Sequence, residues 1–202
     1  MNYGAIGHVM GHEFTHGFDD AGRRLDKYGN LFDWWEPEIK KRYLERAQCI
    51  IDQYSNYTAE EVGLNVRNRV IDFIEFRMTK KLMFFSFWSQ LNGVNTLGEN
   101  IADNGGLKES YLAYNTWEAE NGVEPRLPGL LYTSQQMFWL SAANMWCKIT
   151  TPEGLKNQII TDPHSPSKFR INGPLSNIPE FAKAFNCPLG STMNPEKKCS
   201  VW

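Results

Sequence analysis

The sequence predicts a mainly α-helical fold, and three observations support this prediction. Apolar residues recur at helical spacing in four segments, and residues that favour helix starts or ends bound several of these segments. Strand signals are few along the chain. Hydrophobic residues make up 42% and charged residues 22% of 202 positions, an ordinary balance for one globular domain with a core, or for two small domains.

The first two helices are predicted in the N-terminal quarter of the chain. Residues 4–17 interleave apolar residues with histidines, and Gly17 lies near the expected end. The turn-rich stretch DAGRRLDKYGN follows. A second helix is predicted from Pro37, which suits a first helical turn, to about Tyr54.

Two more helices are predicted in the second half of the chain. The third begins near Asn95, and its Gly105-Gly106 pair is expected either to kink it or to allow a close packing contact. A buried fourth helix is predicted over 134–149, with Ser134 as its N-cap. The residues from Thr150 onward are rich in Pro, Asn and Ser, so they are predicted to be loops with one short helix, PEFAKAF.

Charge and hydropathy exclude some classes of function. The net charge of −2 gives no basic surface for nucleic acid or acidic lipids, so we expect no nucleic-acid partner. The opening residues MNYGAIGHVM have no basic region and no long apolar core, so no targeting signal is recognised in this chain. The apolar stretch LMFFSFW is far shorter than the roughly 20 residues of a membrane span.

The stretch GHEFTHGFDD carries a candidate metal site. His12 and His16 stand four apart, so on a helix they share one face about 6 Å apart along its axis and can reach one ion. Glu13 points to the side, where it can hold a metal-bound water and take its proton. This is the zincin arrangement. A pattern of five residues also occurs by chance on exposed helix faces.

A third ligand must come from elsewhere. His8 is eight residues from His16, about 12 Å along a helix, and zinc–nitrogen bonds of about 2.0–2.1 Å cannot bridge that distance. We therefore expect His8 to be packed or hydrogen-bonded. Glu99 and Asp103 share one helical face, so one can bind zinc while the other steadies a ligand histidine. Spacing alone favours two solvated carboxylates.

Four segments extend this interpretation. GHEFTHGFDDAGR, TLGENIADNGGLKESYLAY, DPHSPSKFR and MNPEKKCSVW occur in the order of the neprilysin and endothelin-converting-enzyme family of zinc endopeptidases, which they closely resemble. The resemblance covers nearly the whole chain except residues 67–90. It implies a thermolysin-like zincin lobe of the gluzincin type with few strands, one Zn²⁺ per chain, and peptide substrates.

The resemblance also implies roles for individual residues. His12, His16 and Glu99 match the zinc ligands of the family, and Glu13 matches its catalytic base. Asp103 matches the carboxylate that orients a ligand histidine. The implied reaction is hydrolysis of small extracellular peptides by a zinc-bound water that Glu13 activates.

Two further residues lie in the DPHSPSKFR segment. The resemblance implies that His164 donates a hydrogen bond to the developing oxyanion, which a peptide hydrolase needs beyond its metal, and that Arg170 binds a substrate backbone carbonyl. Asp162 either steadies His164 or serves as a turn carboxylate. Asp19 and Asp20 are likewise as compatible with turn or capping roles as with a role in the site.

The cysteines and one sequon bear on the compartment. Spacing alone permits one or two disulfides among four cysteines and leaves their pairing open. The resemblance implies a bond between Cys49 and Cys199, and pairing of Cys147 and Cys187 with the N-terminal portion of a longer parent. Asn56 opens a sequon for a glycan. We expect an extracellular or cell-surface setting, with a parent that is a type II membrane protein or secreted.

The chain is interpreted as one partial domain. Residues 1–202 match the C-terminal zinc-peptidase catalytic domain, without the N-terminal ectodomain and anchor, and that portion is expected to complete the cleft. Residues 67–90 form an atypical insert after Val66. Its ending, MFFSFWSQ, resembles a translated pyrimidine-rich tract, so one hypothesis is a translated intron. The other is a genuine insertion loop that contacts substrate or membrane.

The sequence thus predicts a zinc-dependent endopeptidase. The alternative is a catalytically inactive, neprilysin-like binding or decoy protein, which the missing upstream portion and the insert favour. A purely structural zinc site is a weaker reading, because Glu13 would hold water at an open fourth position.

Overall fold

The computed structural model describes residues 1–62, 64–65 and 92–202. The insert assigned to residues 67–90 lies outside them. The described residues form α-helices and one two-stranded antiparallel sheet, so the predicted mainly α class with few strands is confirmed. None of the helices in these ranges has the length and apolarity that crossing a bilayer requires.

The helices and strands follow one another in a simple order. A π-helical turn, Tyr3–Gly7, leads directly into the first α-helix, and 3₁₀ turns lie at Gly22–Arg24 and Glu60–Val62. The two short strands are β1 (Thr58–Ala59) and β2 (Leu64–Asn65). The α-helices of the described ranges are α1 (His8–His16), α2 (Pro37–Ser55), α3 (Leu97–Asn121), α4 (Ser134–Asn144), α5 (Pro152–Thr161), α6 (Ser167–Asn177) and α7 (Pro179–Ala184).

The first three helices lie where the sequence predicts them, but the fourth differs at both ends. It ends at Asn144, short of the predicted residue 149. Its N-cap is Thr133 rather than Ser134, because the Thr133 hydroxyl accepts a hydrogen bond from Gln136 N at 3.1 Å. The Gln136 side chain in turn accepts one from Thr133 N at 3.0 Å, which completes a capping box.

The prediction of loops after Thr150 is wrong, since α5 and α6 lie there in addition to the short helix α7. Helix α5 has local signals, an N-cap at Thr151 followed by Pro152. Helix α6 contains Pro174, which lacks a donor and disfavours a helix interior. Most of α6 is buried, so tertiary packing overrides its weak propensity.

Two large apolar clusters form most of the core of the described residues, and a small third one surrounds Ala59 and Ile159. The first surrounds α2 and includes Tyr43, Ile50 and Tyr54. The second joins α4 to α3 and α6 and includes Phe138 and Trp139, both almost fully buried. Burial of such large side chains stabilises the fold by roughly 1.5–3 kcal/mol each.

A disulfide fixes the C-terminal segment to α2. It joins Cys49 to Cys199, the pair that the resemblance implies, across a sequence separation of 150 residues. Cross-linking residues so far apart in sequence restricts the unfolded chain more than the folded one, which favours folding. Cys147 and Cys187 are free thiols, and Cys147 is exposed.

Helices α1 and α3 cross at backbone contact distance through glycines. A Cβ atom on Gly106 would lie 2.2 Å from the backbone nitrogen of His12, and one on Gly11 would lie 2.7 Å from the carbonyl oxygen of Gly106. Thr15 packs on the neighbouring Gly105 and donates a hydrogen bond to the Gly11 carbonyl at 2.8 Å. The double glycine therefore serves the close packing contact that the sequence allowed.

This crossing generates a stability prediction for Gly106→Ala. Alanine normally stabilises a helix interior by about 1 kcal/mol relative to glycine. Here we expect the free energy of unfolding to fall by about 1–3 kcal/mol, because the added methyl overpacks the crossing. Urea unfolding measures the change. The control is Glu109→Ala, an exposed position on the same helix, and a Gly106→Ala variant as stable as the wild type would contradict the prediction.

Candidate metal centre

Two histidines of α1 meet a glutamate from the first turn of α3. The Nε2 atoms of His12 and His16 lie 3.0 Å apart. His12 Nε2 is 3.3 Å from Glu99 Oε2, and His16 Nε2 is 3.6 Å from Glu99 Oε1. Within the described ranges, these three residues are the one group of His, Cys, Asp or Glu whose ligand atoms converge in this way.

The three donor atoms fit a zinc ion in spacing and in chemistry. Tetrahedral zinc with bonds of about 2.0–2.1 Å holds its ligand atoms roughly 3.3 Å apart, close to the separations observed here. The Nδ1 atoms of His12 and His16 face carboxylates, so their Nε2 atoms point towards each other and towards Glu99. Two imidazoles and one carboxylate are a donor set that suits zinc.

Asp103 faces His12 from the buried side of the site. Its Oδ1 lies 2.9 Å from His12 Nδ1, although the ring N–H does not point straight at this oxygen. Its two oxygens also accept hydrogen bonds of 2.8 Å from Arg170. Burial favours the neutral acid, but His12 and Arg170 outweigh it and lower the pKa of Asp103, which stays ionised.

Asp19 contacts the Nδ1 atom of His16, as Asp103 contacts that of His12. Its Oδ2 lies 2.7 Å from His16 Nδ1. Its Oδ1 accepts hydrogen bonds from Ala21 N at 2.8 Å and Gly22 N at 2.7 Å, so the turn role and the site role coexist. Asp20 lies beside it, and burial together with the charge of Asp19 raises the pKa of Asp20. The spacing of Asp19 three residues after His16 is the signal that could have identified this contact.

His164 approaches Glu99 from the loop between α5 and α6. Its Nε2 lies 3.2 Å from Glu99 Oε2, and its side chain is 40% exposed. Asp162 Oδ1 lies 2.7 Å from His164 Nδ1 and accepts a hydrogen bond from His164 N at 2.8 Å. Asp162 thus has the steadying contact that the sequence left open.

Arg170 of α6 reaches the same carboxylates. Besides its paired hydrogen bonds to Asp103, its Nη2 lies 3.4 Å from Glu99 Oε2. Its guanidinium carbon lies 4.1 Å from the ring centre of Trp146, a cation–π contact that the sequence did not indicate. No described residue accepts a hydrogen bond from Nη1, so this end of the guanidinium group can donate to a ligand.

His8 and Glu13 are the two other residues of α1 that the sequence singled out. His8 is buried, its ring meets Trp146 edge-on at 6.2 Å, and no described residue hydrogen-bonds its nitrogens. Burial lowers the pKa of His8 to about 4, so the ring is neutral at pH 7. His8 is therefore packed rather than hydrogen-bonded. Glu13 is exposed and has no ion-pair or hydrogen-bond partner in the described part of the chain.

Comparison with known proteins shows which family this chain resembles, independently of the geometry of the site. Residues 1–201 match the model of peptidase family M13. The chain is 53% identical over its whole length to Neprilysin-2 of Drosophila melanogaster and covers 23% of that protein. It is 48% identical over its whole length to the endothelin-converting enzyme homolog of Locusta migratoria and covers 24% of it. The chain thus spans about a quarter of the length of these relatives.

Solved structures show a similar relationship. The whole chain superimposes on 27% of the Mycobacterium tuberculosis zinc metalloprotease ZMP1, determined with an inhibitor, with a TM-score of 0.81 and 31% identity. It also superimposes on 30% of a chain of the Haemonchus galactose-containing glycoprotein complex, with a TM-score of 0.79 and 38% identity. The described ranges therefore share the fold of these two structures.

The charges around His12 predict that zinc binding releases a proton. Burial lowers the pKa of His12, but the carboxylates of Asp103 and Glu99 beside it outweigh burial and raise the pKa to about 9 in the metal-free protein. Zinc must displace this proton, so its affinity should rise about tenfold per pH unit below pH 9 and level off above it. Calorimetry at pH 7.5 in two buffers of different ionisation enthalpy should detect about one released proton.

The control for this prediction is Asp103→Asn. Loss of the carboxylate should return the pKa of His12 towards its ordinary value of 6.5 and reduce the proton release at pH 7.5. Equal binding heats in both buffers for the wild-type chain would contradict the prediction.

Proposed function

Because this chain belongs to peptidase family M13, we propose that it forms the catalytic part of a zinc-dependent endopeptidase that hydrolyses small extracellular peptides. The observation that carries the proposal is the convergence of His12, His16 and Glu99 within ligand distance of one ion. Glu13 is exposed, has no partner among the described residues, and lies on the same helix as the two histidines. A structural zinc site would have no use for such a residue.

The proposed metal holders are His12, His16 and Glu99, with Asp103 and Asp19 behind the two histidines. Zinc in such a site lowers the pKa of water to near neutrality and polarises a carbonyl group. The two aspartates hold each Nε2 atom towards the site and make both imidazoles better ligands once His12 has lost its proton. The site would therefore be held ready before zinc arrives.

Glu13 is the proposed general base. It takes a proton from the attacking water and passes it to the leaving amine as the peptide bond breaks. No residue of the described ranges forms an ion pair with its carboxylate, which supports this role, because a carboxylate held in an ion pair would be a weaker and less mobile base.

His164 and Arg170 are the proposed substrate contacts. When His164 is protonated, Asp162 holds its Nδ1 side and leaves the Nε2 proton facing the site, where negative charge develops on the carbonyl oxygen. The Arg170 guanidinium is fixed by Asp103 along one edge, so Nη1 can donate to a substrate backbone carbonyl without losing its anchor.

We further propose that a longer parent covers the outer face of α1. Ile6, Met10, Phe14 and Phe18 are spaced four residues apart and all are exposed, Phe14 by 70%. A contiguous apolar stripe of this kind marks an interaction surface in soluble proteins. The curated relatives are about four times longer than this chain, so an N-terminal portion is the proposed occupant and the proposed partner of Cys147 and Cys187.

An extracellular or cell-surface location is the proposed setting. The Cys49–Cys199 disulfide is stable in an oxidising compartment. Asn56 is exposed at the end of α2, where a glycan could be attached without disturbing the core.

The Glu13→Gln variant tests the mechanism. We expect zinc content to be unchanged and kcat for a fluorogenic peptide to fall by about 10²–10⁴-fold, because amide nitrogen and oxygen cannot take the proton. The matched control is Glu45→Gln, an exposed glutamate on α2, which should keep full activity. Undiminished cleavage by Glu13→Gln would contradict the mechanism. A zinc-loaded wild-type chain that cleaves no peptide would favour the inactive binding protein.

A further inference from the structure

A buried hydrogen bond links the His164 loop to α3. The Ser165 hydroxyl donates to the Asn100 side-chain oxygen at 2.7 Å, and both residues are fully buried. The amide nitrogen of Asn100 donates to the Thr96 hydroxyl at 2.9 Å, which fixes the orientation of the Asn100 side chain. The Asn100 end of this contact is therefore fixed in orientation.

We propose that the Asn100–Ser165 hydrogen bond positions His164 against Glu99. The proposal rests on the function proposed above, in which His164 stabilises the oxyanion. Each partner adjoins a residue of the site, because Asn100 follows Glu99 and Ser165 follows His164. One hydrogen bond thus sets the distance between the two chain segments that carry these groups.

The other contacts of His164 cannot provide this restraint. Asp162 holds the imidazole from within the same loop, so it does not connect the loop to α3. The contact of His164 with Glu99 uses the same Nε2 atom that is proposed to face the oxyanion, so it cannot serve both purposes at once. Ser165 supplies an anchor that does not use the imidazole.

Loss of this hydrogen bond should affect the position of the His164 loop and not the packing of the helices. A buried polar group that loses its partner costs roughly 1–3 kcal/mol, so displacement of Ser165 leaves Asn100 unsatisfied. The Arg170–Asp103 contact holds α6 on α3 independently. Loss of the Ser165 hydroxyl should therefore loosen residues 162–166 and leave the helices in place.

The activity test is a double-mutant cycle between Ser165→Ala and His164→Ala. We expect Ser165→Ala alone to lower kcat about tenfold with little change in KM, a part of the 10²–10³-fold loss typical of a missing oxyanion donor. In the His164→Ala background, Ser165→Ala should lower kcat no further. An equal tenfold loss in both backgrounds would show that Ser165 acts independently of His164 and would overturn the proposal.

A second measurement does not depend on activity. Amide hydrogen exchange of Asp162, His164 and Ser165, the residues of this loop that carry an amide hydrogen, should accelerate in Ser165→Ala, whereas exchange within α3 should be unchanged. Unchanged exchange in the loop would overturn the proposal. A wild-type chain without peptidase activity would refute the proposed function, and the exchange result would still decide whether Ser165 anchors the loop.

Two further variants separate positioning from stability. Ser176→Ala removes another buried serine hydroxyl, which bonds the Gly173 carbonyl at 2.8 Å far along α6, and should lower the melting temperature without coupling to His164. If Ser165→Ala does not fold, Ser165→Cys keeps a similar volume with only a weak donor and should show the same coupling and loop exchange. Additive losses or an unchanged loop in Ser165→Cys would overturn the proposal equally.

Discussion

The contact of α1 with α3 through glycines is the constraint on which the rest of the site depends. Gly11 and Gly106 let the two backbones touch, and a Cβ atom at either position would force the helices to shift. This contact brings the histidine face of α1 against the turn of α3 that bears Glu99 and Asp103. The contact thus joins the His12–His16 pair of α1 and Glu99 of α3 into one candidate metal site.

The close approach of the helices buries the carboxylate of Asp103, and neighbouring positive groups keep it ionised. Asp103 is fully buried, and an isolated carboxylate at that depth would favour its neutral form. Arg170 and His12 keep it ionised, and the ionised Asp103 in turn holds Arg170 in place. The same carboxylate therefore connects the proposed metal ligand of α1 with the proposed substrate contact of α6, so neither can shift alone.

The sequence predicted the parts of this arrangement that depend on local spacing. The pairing of His12 with His16 follows from helical geometry, whereas the choice of Glu99 required resemblance to a family, because spacing alone allowed solvated carboxylates. The stacking of Trp146 on Arg170 and the existence of α6 depend on contacts between residues distant in sequence. Weak local propensity concealed α6, and the packing of its buried residues against α2, α3 and α4 explains it.

Zinc K-edge absorption spectroscopy on the purified chain with one equivalent of zinc tests the central claim most directly. The account predicts two imidazole nitrogens and oxygen ligands at about 2.0–2.1 Å, and loss of the metal in Glu99→Ala. Sulfur scattering at about 2.3 Å would place zinc on the free thiols of Cys147 or Cys187 instead. That result, or unchanged zinc binding in Glu99→Ala, would contradict the account.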